Sequence, residues 1–202
     1  MSHKFFSGLA FMLFMCAFWP YIRAIVLRET KPAKSSWVVW CLLDLIVFVT
    51  MWKQGVLNGQ ILGAVLGSGI IVALALKFGE KGWTLQDKIC FAGAAFGIVL
   101  WYLFDSPFLA MMMSLAIIFW AAIPTFVSAW KNPESENKMA WTLFWLSCVA
   151  AMFAIPSWTW ADAAQPITFL IIESVMMYLL FVRPGFIVRK AVGDYRSGRS
   201  RR

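Results

Sequence analysis

Histidine is nearly absent from this sequence, with one residue at position 3. The four cysteines, Cys16, Cys41, Cys90 and Cys148, lie far apart inside apolar stretches and have no metal-ligand spacing. Neither a zinc site nor a disulfide framework is expected, and the cysteines read as small buried hydrophobes. Phosphate-cradling glycine patterns of the GxGxxG or GxxxxGK kind are missing. So is a nucleophile elbow, and with no histidine in any apolar stretch the chain is not expected to be an enzyme or to carry a metal or cofactor. Charge is also scarce: Asp, Glu, Lys and Arg make up 14% of residues, against about a quarter in soluble domains. No Lys or Arg stands in the middle of an apolar stretch, and those within the bounds given below, Arg23, Lys77 and Lys88, lie at the ends. That removes a standing internal salt bridge, and it removes the Schiff-base lysine of a retinal photoreceptor, since the last stretch, PITFLIIESVMMYLLFV, has none.

What the chain has is apolar residues, at 61% with twelve Trp, eighteen Phe and a mean hydropathy of +0.74. The composition is that of a polytopic helical membrane protein. Seven apolar stretches run over about 5–25, 37–52, 59–78, 88–104, 108–130, 140–155 and 166–182. Each nearly spans a core of roughly 30 Å at about 1.5 Å per residue, and the second, sixth and seventh are short. The first continues into Trp19-Pro20 with no small-residue cleavage site and reads as retained.

The net charge of +8 supports seven spans. With an odd count, one side carries loops 23–35, 77–88 and 131–138 and the tail from Arg183, with net charges +3, +1, 0 and +6. The other side carries Lys4, Lys53, Asp105 and Asp162, which cancel. The basic side is expected to be cytoplasmic, with the N-terminus outside, in a bacterial inner (plasma) membrane. The tail 185–202 suits anionic lipid headgroups better than nucleic acid. A homo-oligomer is compatible with the pattern.

A repeat runs through the chain at an offset of 104 residues. It pairs Pro20 with Pro124, Trp37 with Trp141, Lys34 with Lys138, Leu42 with Leu146 and Ala17 with Ala121. The fold expected is an all-α membrane protein of seven transmembrane helices in a 3+1+3 arrangement. Residues 1–80 form one three-helix bundle, 81–106 a linker helix and 107–184 a second bundle parallel to the first, followed by the tail 185–202. Each proline lacks an amide hydrogen and opposes a carbonyl four residues back, so Pro20 and Pro124 are candidate hinges. Gly59, Gly63 and Gly67, and likewise Gly93 and Gly97, recur every fourth residue and allow close helix packing. The run Met111-Met112-Met113 reads as adaptable packing.

Two carboxyls lie inside apolar stretches. Asp44 is seven residues past Trp37, and Glu173 is seven past Pro166. Each is placed about 10 Å along its helix. A carboxylate at such depth costs roughly 2.5–3.5 kcal/mol on the insertion scale, so such residues face a bundle interior or a watery cavity. Both are candidates for substrate binding or proton coupling; the alternative is a protonated carboxyl bonded to a neighbouring helix. Trp40 shares a helix face with Asp44, and Trp145 lies at the matching depth of the sixth stretch, where Cys148 matches Asp44 at the offset of 104. An aromatic wall beside a carboxylate suits a sugar or organic cation. Trp37 and Trp141 read as interfacial anchors.

The seven stretches, the paired prolines and the parallel repeat resemble the SWEET and PQ-loop (MtN3-like) transporter superfamily. Tyr21 and Thr125 stand where that family carries the glutamine of its Pro-Gln pair. The resemblance implies movement of a small polar solute, facilitated or proton-coupled, through a pocket between the two bundles. The competing expectation is a scaffold, receptor or accessory subunit on the same fold.

Overall fold

The computed structural model describes residues 2–29, 31–79 and 82–184. The side chains of Pro124 and Ser135 and the whole tail 185–202 lie outside the described residues. Seven α-helices make up nearly all of it: α1 Ser2–Val26, α2 Lys34–Lys53, α3 Gly59–Phe78, α4 Leu85–Phe104, α5 Pro107–Lys131, α6 Lys138–Phe153 and α7 Trp160–Met177. A π-helical turn, Tyr178–Val182, continues α7.

The helices begin where short polar side chains can take up orphan amide hydrogens. Asn58 accepts from the Ile61 amide at the start of α3, and Asn137 from Ala140 at the start of α6. Thr84 and Asp87 form a reciprocal capping box on α4. Ser106 caps α5, with Pro107 at the first helical position. Thr159 caps α7, and its hydroxyl donates to Asp162 at 2.7 Å. This last cap corrects the expected start of the seventh stretch. The helix opens at Trp160, six residues before Pro166, because Asp162 is a buried first-turn residue and does not sit in a loop. Pro166 is thereby inside the helix, and the span becomes 23 residues, Trp160–Val182. The second stretch lengthens likewise to the 20 residues of α2. Only α6, with 16 residues, stays short.

Six helices are long and apolar enough to cross a membrane. Large apolar side chains such as Phe96, Val99, Leu103, Trp120 and Trp130 stand exposed around the outside. A bundle that turns such groups outward belongs in lipid, and the chain is an integral membrane protein.

Neighbouring helices close a ring. α1 packs against α3 and α6, α3 against α2, α2 against α5, α5 against α7, and α7 against α6. α4 lies outside this ring, against α5 and α2. Its first turn is tied to α2 by Asp87, which accepts from the hydroxyls of Ser35 at 2.8 Å and Ser36 at 2.7 Å. The glycine spacing does the work expected of it. A Cβ on Gly67 would run into the Phe18 ring, and one on Gly59 into the Ser7 carbonyl, so α3 lies directly on α1. A Cβ on Gly93 would crowd Ile117 of α5, whereas one on Gly97 would make ordinary contact with Met113. An aromatic column fills the interior. Phe144 of α6 packs on Phe14 at 4.8 Å and Phe18 at 5.2 Å between ring centroids, and Phe14 reaches Phe169 of α7 at 6.1 Å.

Candidate functional site

Asp44 is buried in α2 and faces Ser68 of α3 within hydrogen-bonding reach. The Ser68 hydroxyl also donates to the Ala64 carbonyl at 2.7 Å, and Cys41, one turn before Asp44, approaches it too. Glu173 is buried in α7, and its Oε2 has no hydrogen-bond partner among the described residues. Cys148 of α6 lies close enough to feel the charge of Glu173, and the chain neighbour of Glu173, Ser174, accepts from the Trp145 indole at 3.0 Å. Trp145 therefore stands beside the residue next to Glu173. Trp40 is half-buried against the main apolar core, and no hydrogen bond or ring contact joins it to Asp44 among the described residues.

α1 runs unbroken through Pro20 to Val26. α5 likewise runs through position 124. Tyr21 stacks on Trp37 with ring centroids 5.3 Å apart and accepts a hydrogen bond from its indole at 3.3 Å. Trp141 donates to Glu136 at 3.0 Å. Both expected anchors thus have their indole N–H bonded at the same end of their helices.

A polar seam in the interior lies outside the residues singled out from the sequence. Gln60 of α3 and Gln165 of α7, both fully buried, bond directly, the Gln165 amide donating to the Gln60 carbonyl at 3.0 Å. Asn58 donates to the Gln165 carbonyl at 2.8 Å. The Gln60 amide donates to Cys148 Sγ at 3.1 Å and Ser147 Oγ at 3.4 Å, and Ser147 donates to the Ala10 carbonyl at 2.8 Å. α1, α3, α6 and α7 are stitched together by this seam. The glutamines are 105 residues apart. Eight residues further along each helix, about 12 Å deeper, come Ser68 and Glu173, which share that spacing of 105. Asp44 and Cys148 differ by 104. Each α2–α3 or α6–α7 pair thus carries one carboxyl and one small polar group, with the carboxyl on opposite members of the pair.

The signal that could have found the seam was present. Uncharged amides in apolar stretches are costly unless bonded, and Gln60 and Gln165 stand near the repeat offset. Gln165 falls just outside the expected seventh stretch, which starts at Pro166, six residues after the helix begins.

Among the described residues no group of three or more His, Cys, Asp or Glu could hold a metal ion. A cavity of about 350 Å³ opens where α1 and α3 end, lined by Ile25, Arg28, Lys31, Lys77 and Phe78. None of the four residues expected to line a pocket borders it. Compared with family models, with curated proteins and with solved structures, the chain matches none.

Proposed function

We propose that the protein is a small-polar-solute transporter of the SWEET and PQ-loop kind, with proton movement coupled through Glu173. In this reading α1–α3 and α5–α7 are two parallel units, α4 is the connector, and the pathway runs between the units. The ring order supports it. Each unit places its third helix between its first two, and the units meet through α1 on α6 and α5 on α2. Such reciprocal contacts are what a twofold axis along the membrane normal requires. The direct bond between Gln60 and Gln165, 105 residues apart and so near the repeat offset, also supports it.

The observation that carries the functional reading is the unpartnered carboxyl oxygen of Glu173 in the membrane interior. A buried polar group left unsatisfied calls for an explanation, and carboxyls inside membrane helices mark proton or solute paths. In a transport cycle Glu173 exchanges its proton when the pathway opens to water. The Gln60–Gln165 seam closes one end, and the Tyr21–Trp37 pair with Phe18 closes the other. Tyr21 fills the place of the family's glutamine with a ring that stacks and accepts a hydrogen bond. Pro20 and Pro124 serve as hinges, and Asp44, Trp40 and Trp145 contact the solute. The basic loops are cytoplasmic and the N-terminus is outside.

The test labels single cysteines placed along 166–177 in a cysteine-free background, using a water-soluble thiol reagent in sealed vesicles. Labelling that reaches the Glu173 level, together with altered pH dependence of solute uptake in Glu173→Gln, is the expected result. A dry α7, or uptake by Glu173→Gln with unchanged pH dependence, removes Glu173 from the coupling role. The aromatic column through the centre favours a second reading, a scaffold with a closed core. Protection of every position along α7 would select it.

A further inference from the structure

The cavity at the ends of α1 and α3 stands apart from the seam and from both membrane carboxyls. Three of its five lining residues, Arg28, Lys31 and Lys77, are cations, and the other two, Ile25 and Phe78, are apolar. Its volume of about 350 Å³ falls within the range of roughly 300–1,000 Å³ usual for ligand clefts. Phe78 organises the cations: Lys77 lies 5.2 Å and Arg28 5.8 Å from its ring centroid. Among the described residues none of these three cations forms an ion pair; the one that is formed, Lys138–Glu134, lies far along the chain.

Arg28 adds a backbone argument. Its φ of 60° is left-handed, and the amides of Arg28 and Glu29 bond back to the Ile25 and Ala24 carbonyls to close the end of α1. That position of a helix end ordinarily takes glycine, which adopts the conformation without strain. This chain places an arginine there, and the strained backbone delivers a guanidinium to the cavity.

We infer that this cavity binds the phosphate of an anionic phospholipid headgroup. Three unpaired cations converging on one cleft fit a phosphate diester. The surroundings favour a lipid over free phosphate, because Val26, Leu27 and Leu76 beside the cleft are exposed and offer a path for acyl chains. The site is built from folded helix ends and does not depend on the tail.

Thermal unfolding and native mass spectrometry of the full chain in neutral detergent test the site, with phosphatidylglycerol, phosphatidylcholine and inorganic phosphate as probes. Phosphatidylglycerol is expected to stabilise the protein and stay bound where phosphatidylcholine does not. Arg28→Gln/Lys31→Gln/Lys77→Gln should weaken that binding at least about tenfold, given the contribution of each basic residue near an anionic surface. Arg199→Gln/Arg201→Gln/Arg202→Gln, which removes as many charges from the tail, should weaken it by less than about threefold. Arg28→Gly guards against a folding defect. It suits the left-handed backbone, so the lipid-free protein should be at least as stable as the parent while the lipid-induced shift falls. Equal stabilisation by both lipids overturns the inference, as does equal loss in the cleft and tail variants. Stabilisation by inorganic phosphate with none by phosphatidylglycerol overturns the lipid assignment.

Discussion

Replacing Gln60 by leucine should destabilise the bundle in a way that depends on Gln165. The substitution removes the carbonyl that accepts from Gln165 at 3.0 Å and the amide that donates to Cys148 at 3.1 Å. Ser147 keeps its bond to the Ala10 carbonyl, so its hydroxyl is not orphaned. The Gln165 amide is orphaned, and that side chain is fully buried. Leaving such a donor unsatisfied costs about 1–3 kcal/mol. Gln165→Leu is the mirror case: it strands the Gln60 carbonyl and an Asn58 donor. In Gln60→Leu/Gln165→Leu neither amide remains to be stranded by the other, and the double variant should cost less than the two single changes together. Measured interhelical couplings in membranes average about 0.6 kcal/mol and reach about 1.7, and a fully buried amide pair belongs in the upper half of that range. The assay is equilibrium unfolding in mixed micelles with a denaturing detergent, followed by helix content. Additivity within about 0.3–0.5 kcal/mol, the behaviour of independent sites, would refute a direct bond between the two glutamines.

Four further outcomes are expected. Asp87→Ala should cost about 2–4 kcal/mol in the same assay, because the carboxylate half of the α4 capping box is lost together with the bonds from Ser35 and Ser36; a loss below about 0.5 kcal/mol, the range of an ordinary surface change, would contradict the clamp between α4 and α2. Gly67→Val should cost about 1–3 kcal/mol by forcing Phe18 aside, whereas Gly69→Ala, where an added Cβ meets nothing within 4 Å, should lie within about 0.5 kcal/mol of the parent. Glu173→Leu should be neutral or raise stability by up to about 1–3 kcal/mol, since it removes an unsatisfied buried oxygen; a marked loss would reveal a partner for the carboxyl. Reporter fusions after Lys131 and Lys53 should report opposite sides of the membrane, with the Lys131 fusion cytoplasmic.

The helices were legible because an apolar stretch in lipid must close its own backbone hydrogen bonds, so hydropathy alone locates it. Helix ends were less legible. Thr159 and Asp162 form a cap by local chemistry, which hydropathy does not register, so the apolar stretch begins only at Pro166. Asp87 counted only as a loop charge, although Ser35 and Ser36, fifty residues away, turn it into a tertiary clamp; no local pattern announces such a partner. The carboxyls Asp44 and Glu173 stood out because their cost in a membrane is large. Gln60 and Gln165 did not, because an amide is inconspicuous until its partner is known. The expected grouping of Trp40 with Asp44 rested on a shared helix face. A face of several residues is too wide to decide which neighbour a side chain touches.

The 16 residues of α6 have a consequence for the lipid around the molecule. At about 1.5 Å per residue the helix is roughly 24 Å long, some 6 Å less than a typical hydrocarbon core. In the proposed seven-span arrangement the bilayer beside α6 would thin, or draw polar headgroups inward, to meet it. Cys148 is five residues, about 7.5 Å, from the end of that helix at Phe153, and it belongs to the seam with Gln60. Such an indentation would bring headgroups and their water toward the amide seam from outside the bundle. A thicker bilayer would stretch the mismatch at this one flank, so acyl-chain length should tune how firmly the seam holds.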